Sequence, residues 1–462
     1  MSLRRAVDEA AAALTEATRE RAPDAFASVS LPEQFDPRAL LRSPSALGVV
    51  ASYERPDHGF ALIGVGEAAR VDLADGETPT AARNRLDELF SGALASDHSE
   101  FRPRLLGGFR FAPDQEPGTP WERFGAGSLV LPRMLFVLEH GQPGVVLAPG
   151  VAADEALRLI EASFENGPGD GASTVLRGPL RESRSIDEQR WRDSVRSMAI
   201  EIREGAYEKV VLATSIELES DADLPLGATL SHLRSDYPDC HVISFTTGDS
   251  TLVCASPELL ISLEDGRART LGLAASQRRG RNAAEDGKLS LELLADAKSR
   301  EEHAVVVREI VERLEDATDA LEVDPEPSVR RFRNIQHLAT RIAGDTRDGV
   351  DILELVERLH PTPAVGGRPR DVARSVIAEH EPFDRGWYAG PIGWLDASGD
   401  GEFAVALRTA LLRGSCAWLF AGNGIMGDSD PQAELEEVSL KLRPLAEALG
   451  GRVPSETTAV PA

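Results

Sequence analysis

The spacing of apolar residues in the first part of the chain predicts strands mixed with helices. Apolar positions three and four residues apart predict a helix over residues 3–20, and a similar pattern predicts another over residues 78–93. Two apolar runs around a turn at residues 56–59 predict a pair of strands, and residues 128–150 are typical of a hairpin. The glycine-rich residues 165–173 predict an exposed excursion between two halves of the chain.

After residue 185 the pattern becomes more regular. A helix is predicted to begin at Ser185, and long helices and strands then follow without strict alternation, which favours an α+β fold with antiparallel sheets. We divide the chain into an N-terminal α+β part (1–184), a C-terminal part (185–449) and a tail (450–462) that is expected to be flexible. The other predicted elements are strands over residues 208–219, 241–247, 251–264, 401–413 and 415–424, and helices over residues 224–235, 286–317 and 431–449.

The composition predicts a globular protein of the cytoplasm. The 462 residues are 42% hydrophobic and carry a formal charge of −26. Such an acidic chain is not expected to bind nucleic acid or an anionic membrane, and no apolar run reaches the roughly 18 residues of a membrane span. The N-terminus alternates charge and alanine, unlike a secretory signal. The three scattered cysteines are too few for a disulfide framework or a structural zinc site.

The basic residues are almost all arginine. Only four of the 50 are lysine, namely Lys209, Lys288, Lys298 and Lys441. Excess carboxylates with so little lysine predict a halophilic protein, because a strongly hydrated acidic surface remains soluble at high salt. A GC-rich genome is the alternative, and it explains the ratio of arginine to lysine but not the negative charge. Each lysine therefore requires a specific explanation.

A glycine motif near the C-terminus is not expected to bind a dinucleotide. Residues 422–427 match G-x-G-x-x-G after a predicted strand. A dinucleotide site needs a helix that begins at the glycines and an acidic residue about 20 positions later, whereas an acidic, proline-containing turn follows here. The bare backbone amides can still approach a carboxylate closely.

Several charged residues are consistent either with chemistry or with ordinary surface. Glu434, Glu437 and Lys441 share one helix face, as expected for a solvated ion pair or for a carboxylate cluster that holds a hard cation. Glu302, on the long predicted helix, could complete a Mg²⁺ site. Lys209 precedes an apolar strand and is either a solvated strand end or a general base.

Nine segments, in order, resemble those of the chorismate-utilising enzymes, a family that includes isochorismate, salicylate, anthranilate and aminodeoxychorismate synthases. The resemblance is dense over residues 188–447 and weaker upstream. It implies a large sandwich of two antiparallel sheets flanked by helices, as in anthranilate synthase component I, and it makes residues 185–449 the expected chorismate-binding, catalytic part. The segments are EKVVLATS (208–215), ASPELLIS (255–262), AKSREEH (297–303), IQHLAT (335–340), HPTPAVGGRP (360–369), AEHEPFDRGWYAGPIGW (378–394), ALRTALL (406–412), LFAGNGI (419–425) and ELEEVSLKL (434–442).

The resemblance also implies a role for each matching residue. Lys209 resembles the base that activates water for attack at C2 of chorismate, and Glu258 resembles the acid that protonates the departing C4 hydroxyl. Glu302 and Glu437 resemble the Mg²⁺ carboxylates, with Glu434 nearby. The residues that resemble substrate-binding groups are Ala275, Ser276, His337, Ala364, Tyr388, Arg408, Gly422 and Lys441.

A few positions favour one reaction within the family. Members that use ammonia lack a lysine at the position of Lys209, and members that go on to expel pyruvate have threonine at the position of Ala364. The resemblance therefore implies Mg²⁺-dependent formation of isochorismate from chorismate by a monomer or homodimer, for menaquinone or, second, siderophore synthesis. A salicylate synthase and a non-catalytic protein on this fold remain alternatives. Ala275 and Gly272 replace the family's usual glycine and proline, which leaves the backbone of that loop open.

Overall fold

The computed structural model describes residues 3–20, 22, 24–90, 101–112, 118–165, 180–333 and 335–450. The predicted excursion after residue 165 and the predicted flexible tail therefore lie almost wholly outside the described residues.

Within these ranges the chain forms ten α-helices and twenty β-strands, and none of those helices is long and apolar enough to cross a membrane. The helices are α1 (Leu3–Glu20), α2 (Arg83–Phe90), α3 (Ala153–Glu165), α4 (Glu188–Arg203), α5 (Leu226–Asp236), α6 (Ala283–Ala295), α7 (Ala297–Leu314), α8 (Ile352–Leu359), α9 (Arg370–His380) and α10 (Pro431–Ala448). The strands are β1 (Ala27–Ser30), β2 (Val49–Arg55), β3 (Phe60–Leu73), β4 (Arg104–Phe109), β5 (Gly127–Glu139), β6 (Gln142–Leu147), β7 (Arg181–Arg184), β8 (Lys209–Glu219), β9 (His241–Thr247), β10 (Ser250–Ser256), β11 (Leu259–Glu264), β12 (Arg267–Arg278), β13 (Thr318–Val323), β14 (Ser328–Arg331), β15 (Ile335–Thr346), β16 (Gly367–Arg368), β17 (Pro391–Asp396), β18 (Gly401–Val405), β19 (Thr409–Arg413) and β20 (Cys416–Ile425).

The long strand β5 joins two antiparallel arms of the sheet. One edge of β5 pairs with β3, and the other pairs with β4 and β6. The first arm continues from β3 through β2, β9, β10, β19 and β20 to β8. The second continues from β4 through β17, β18, β11 and β12 to β15. With α7 packed on β12 and α10 on β20, this arrangement confirms the predicted α+β class.

The β5–β6 hairpin shows why the apolar runs predicted the strands well. Its two-residue turn, His140 and Gly141, has φ values of 52° and 79°. Positive φ at both positions matches the twist of paired strands, which makes such turns common in hairpins. The predicted hairpin is therefore confirmed.

The prediction of one helix over residues 286–317 is wrong, because the helix is interrupted at Asp296. Asp296 is extended (φ −71°, ψ 118°), and its carboxylate accepts a hydrogen bond from the Ser299 main-chain NH. An N-cap of this kind stabilises a new helix start. A new helix, α7, begins after the break, and its first turns carry Lys298 and Glu302.

Further boundaries also differ from the predictions. Residues 251–264 form two strands, β10 and β11, instead of one. Residues 401–413 form two strands instead of one, because Arg408 has φ +48° and ends the extended run. The helix predicted from Ser185 begins at Glu188, since Asp187 caps it through a hydrogen bond from the Arg190 NH.

Strand pairing links the two parts of the chain on either side of residue 184. β2 pairs with β9, and β4 pairs with β17. A domain boundary at this residue stays a prediction.

Candidate active site

A cavity of about 260 Å³ collects side chains that are far apart in sequence. Its walls come from both arms of the sheet and from helices α7 and α10. All thirteen residues singled out from the sequence line it: Lys209, Glu258, Ala275, Ser276, Glu302, His337, Ala364, Tyr388, Arg408, Gly422, Glu434, Glu437 and Lys441.

Lys209 is the first residue of β8 and is buried, with 2% of its surface exposed. Its Nζ donates a hydrogen bond of 2.9 Å to Glu302 Oε1, across from α7. This burial excludes the solvated strand end considered above. The neighbouring strands β16 and β20 hold β8 on both edges, so the lysine is carried on a rigid element.

Residues 422–425 of the glycine motif lie inside a strand, where the glycines create space for these side chains. β20 runs through Ile425, so the glycines do not open a helix. A Cβ atom on Gly424 would stand 2.8 Å from Lys209 Cε and 3.2 Å from Glu302 Oε1. A Cβ on Gly422 would stand 3.0 Å from the hydroxyl of Tyr388. The glycines therefore let the lysine, the carboxylate and the phenol approach the strand.

Glu258 precedes β11 and is 7% exposed. Its main chain is fixed by hydrogen bonds to Val405 and Ser256. Burial raises the pKa of Glu258 to about 7, and the positive charges of Lys209 and Lys441 oppose that rise. A carboxyl group with this pKa is partly protonated near neutral pH, as a general acid must be.

Three carboxylates approach the cavity from two helices, Glu302 from α7 and Glu434 and Glu437 from α10. Glu437 forms a salt bridge of 2.9 Å with Lys441. Burial, followed by the charge of Glu437, raises the pKa of Glu434. Among the described residues no basic side chain comes within 4 Å of Glu434, so its charge is left uncompensated by an ion pair.

These carboxylates fit a hard cation, although the described residues hold no group of three acidic, histidine or cysteine side chains close enough to bind a metal alone. Mg²⁺ is typically bound by one or two protein carboxylates together with substrate oxygens and water. Glu434, which is half-buried and lacks a basic partner, together with Glu302 and Glu437, supplies such a set. The donor chemistry and the local charge therefore agree with magnesium.

Arg408 and Tyr388 present donors to the cavity. The Arg408 guanidinium lies over the rings of Tyr237 (5.7 Å) and Phe332 (5.6 Å) and contacts Cys240 Sγ at 3.6 Å. Within the described part of the chain no carboxylate lies within 4 Å of it. Tyr388 is buried and stacks on a phenylalanine, and burial raises its pKa well above the ordinary value. Both groups are suited to bind a carboxylate of a ligand.

His337 is held neutral against a bulge in β12. The bulge falls at Ala275, whose φ is +57°. His337 Nδ1 lies 3.2 Å from the Ala275 carbonyl and 3.1 Å from Ser276 Oγ. Because a carbonyl only accepts, Nδ1 carries the proton and Nε2 keeps its lone pair. Burial lowers the pKa of His337 to about 3.

The sequence reasoning missed Lys298 and Asn423. Lys298 also lines the cavity and pairs with Asp428 at 3.0 Å. The scarcity of lysine in the chain could have identified this residue, because three of the four lysines lie at this one cavity. Asn423 is buried between Glu434 and Lys441, and nothing in the sequence pattern distinguishes it from other strand residues.

A deeper ion pair, also missed, supports the wall behind Lys209. Arg385 is 2% exposed and pairs with Glu381, which also accepts from the Ala213 NH. Arg385 donates to the carbonyls of Val211 (2.8 Å) and Val365 (2.9 Å). It therefore ties β8 to the loop that carries Ala364.

Comparison with known proteins identifies the family. A model of the chorismate binding enzymes matches residues 12–450. The chain is 37% identical to isochorismate synthase MenF of Bacillus subtilis, over 77% of this chain and 76% of that protein. It is 38% identical to the salicylate biosynthesis isochorismate synthase of Pseudomonas aeruginosa, over 79% and 76% respectively.

Solved structures confirm the fold. MenF, the menaquinone-specific isochorismate synthase of Escherichia coli, superposes with a TM-score of 0.77 and 26% identity, covering 97% of this chain and 100% of that one. Anthranilate synthase component I of Streptococcus pneumoniae shares the fold with a TM-score of 0.70 and 22% identity, covering 84% and 92%. The match over nearly the whole chain and the arrangement of the cavity lead to one conclusion: this chain belongs to the family of chorismate-binding enzymes.

Proposed function

We propose that the protein is a Mg²⁺-dependent isochorismate synthase that interconverts chorismate and isochorismate. The observation that carries this proposal is the convergence of a buried lysine and a carboxyl group with a pKa of about 7 on one cavity. The identities to two isochorismate synthases support it. Ala364 lies at the cavity wall. Family members that expel pyruvate have threonine at this position, so the alanine supports isochorismate as the end product.

Lys209 and Glu258 divide the proton transfers. Lys209 accepts a proton from water as the water oxygen bonds to C2. The ring double bonds shift, the C4–O bond breaks, and Glu258 gives its proton to the departing hydroxide, so that water leaves. Water is consumed and released in equal amounts, and the reverse reaction uses the same two residues with their roles exchanged.

Cationic groups and a metal would hold the dianionic substrate. Arg408, Tyr388 and the backbone at Gly422 would bind one carboxylate, with Lys441 nearby. His337, Ala275 and Ser276 would face the C2 side of the ring. Magnesium, held by Glu302 and Glu437 with Glu434 close by, would neutralise the ring carboxylate and so fix its orientation.

One assay tests the proposal and its alternative. The protein is incubated with chorismate and Mg²⁺ in the absence of ammonia, and the products are separated by chromatography. We expect isochorismate without pyruvate. Salicylate together with pyruvate would instead identify a salicylate synthase, and no turnover at any salt concentration would favour a non-catalytic protein.

We further propose a cytoplasmic enzyme of menaquinone synthesis in a halophilic, haloarchaeal cell. The menaquinone-specific E. coli structure supports the pathway, and catecholate siderophore synthesis is the second choice. The charge of −26 supports the salt dependence. At about 1 M salt the Debye length is roughly 3 Å, so surface carboxylates would hardly repel a dianion. Measuring activity against KCl concentration tests the salt dependence. Measuring the molecular mass in solution tests the expected monomer or homodimer.

A further inference from the structure

Asn423 lies between two charged side chains of α10 that face the cavity, Glu434 and Lys441. It is 1% exposed. Its amide nitrogen donates to the Glu434 main-chain oxygen at 2.7 Å and to Glu434 Oε2 at 3.1 Å. Its Oδ1 accepts from Lys441 Nζ at 3.0 Å. Both amide protons and one oxygen lone pair therefore bind the same helix.

The partners determine which way the amide points. In the reversed orientation Oδ1 would face two oxygens of Glu434, and the NH₂ group would face the ammonium of Lys441. Neither contact could form a hydrogen bond, because each would join two acceptors or two donors. Asparagine is thus suited to this position. Aspartate is not, because it has no amide protons to donate to Glu434.

The backbone of Asn423 belongs to the strand beside the proposed base. In the β20–β8 ladder Asn423 lies opposite Leu212, three residues from Lys209. The adjacent Gly422 carbonyl accepts a further hydrogen bond of 3.1 Å from Lys441. The side chain of Asn423 therefore links the β8–β20 pair to α10 at Glu434 and Lys441.

We propose that Asn423 is a positioning residue that fixes Glu434 for the metal and Lys441 for the substrate. The proposal rests on the proposed function, since it assumes that Glu434 lies at a magnesium site. Asn423 does not line the cavity, and it acts by restricting the rotamers of the two side chains. Residues that orient metal ligands in this way typically change metal affinity by 10- to 100-fold when they are removed.

The test compares Asn423→Ala with Gln336→Ala, which removes another buried amide. Gln336 is 0% exposed, bonds to Ser290 and the Arg278 carbonyl, and does not line the cavity. Mg²⁺ binding to each protein is measured by calorimetry without substrate, well below the melting temperature. We expect about tenfold weaker binding for Asn423→Ala and a change of less than about twofold for Gln336→Ala. The KM for chorismate at saturating Mg²⁺ should also rise in Asn423→Ala alone.

A metal-free measurement separates this inference from the proposed function. Hydrogen exchange in EDTA should be faster over residues 431–442 in Asn423→Ala than in Gln336→Ala. Unchanged exchange together with unchanged Mg²⁺ affinity would overturn the positioning role, and so would equal weakening in both variants. If the wild type neither binds Mg²⁺ nor forms isochorismate, the proposed function fails and with it the metal half of the inference. The exchange experiment then still decides whether Asn423 positions α10.

Discussion

Lys209 Nζ lies 2.9 Å from Glu302 Oε1, so the proposed base and a proposed magnesium ligand form one ion pair. The lysine is almost fully buried, whereas the glutamate side chain is 18% exposed toward the cavity. The proposed proton-transfer group and the proposed metal site are therefore in direct contact, and a change at one is expected to affect the other.

Replacing Lys209 by Met should abolish turnover while the protein stays folded. General base catalysis is typically worth 10²- to 10⁴-fold, and methionine retains the apolar part of the side chain without its amine. The matched control is Lys288→Met, because Lys288 is 76% exposed and, within the described ranges, pairs only with Glu292 on the surface of α6. Product formation is followed by chromatography, and folding by circular dichroism. Near wild-type activity in Lys209→Met would remove this lysine from the mechanism.

Gly424→Ala should lower kcat strongly through one methyl group. The new Cβ would stand 2.8 Å from Lys209 Cε, closer than real Cβ atoms approach, so the lysine and its Glu302 partner must move. Gly287→Ala is the control, since a Cβ on Gly287 in α6 meets nothing within 4 Å.

Alanine is favoured over glycine in a helix by about 1 kcal/mol, so Gly287→Ala should be active and slightly more stable. Steady-state kinetics and thermal unfolding of both variants test this pair. Equal activity of the two variants would show that the space beside Lys209 is not required.

The proposed acid predicts a decline in activity at alkaline pH. Glu258 must be protonated to donate, and burial raises its pKa to about 7. The kcat for isochorismate formation should therefore fall as the pH rises through about 7, and Glu258→Gln should lose about 10²- to 10⁴-fold. A pH–rate profile of the wild type gives the apparent pKa. A flat profile between about pH 6 and pH 9 would contradict the assignment.

The same carboxyl group should make the protein less stable at high pH. Its folded-state pKa lies above its ordinary value of 4.5, so the stabilising protonated form is fully present below about pH 4.5 and is lost as the pH rises through 7. The difference corresponds to about 3 kcal/mol at most. Glu258→Gln should thus unfold at a higher temperature than wild type at about pH 8, with no gain below about pH 4.5. Equal melting temperatures at both pH values would argue against a buried, destabilised carboxylate.

Ala275→Gly should stabilise the protein. Ala275 has φ +57°, a left-handed conformation that costs a residue with a side chain about 1 kcal/mol and costs glycine little. The neighbouring Ala274 lies in ordinary strand backbone, so Ala274→Gly should destabilise by a similar amount. Urea unfolding of the two variants provides the comparison, and a loss of stability in both would show that the bulge is not strained.

The family resemblance and the apolar pattern together predicted much of the fold and of the candidate site. The strand carrying Lys209, the hairpin of β5 and β6, and the capped helix α10 follow from local spacing, because each element's own residues specify its period and its ends. The thirteen residues named from the resemblance all reach the cavity. The break at Asp296 was missed, since a capping aspartate inside a charged helical pattern differs little from surface charge.

The amino-acid pattern therefore indicates which residues can do chemistry and on which kind of element each one lies. The properties of those residues follow from the packing of the folded chain. The pKa of Glu258, the pairing of Lys209 with Glu302, the left-handed backbone at Arg408 and the contacts of Asn423 all depend on groups distant in the chain. Burial, neighbouring charges and hydrogen bonds all shift the pKa of a carboxyl group, and each depends on segments that meet only in the folded chain.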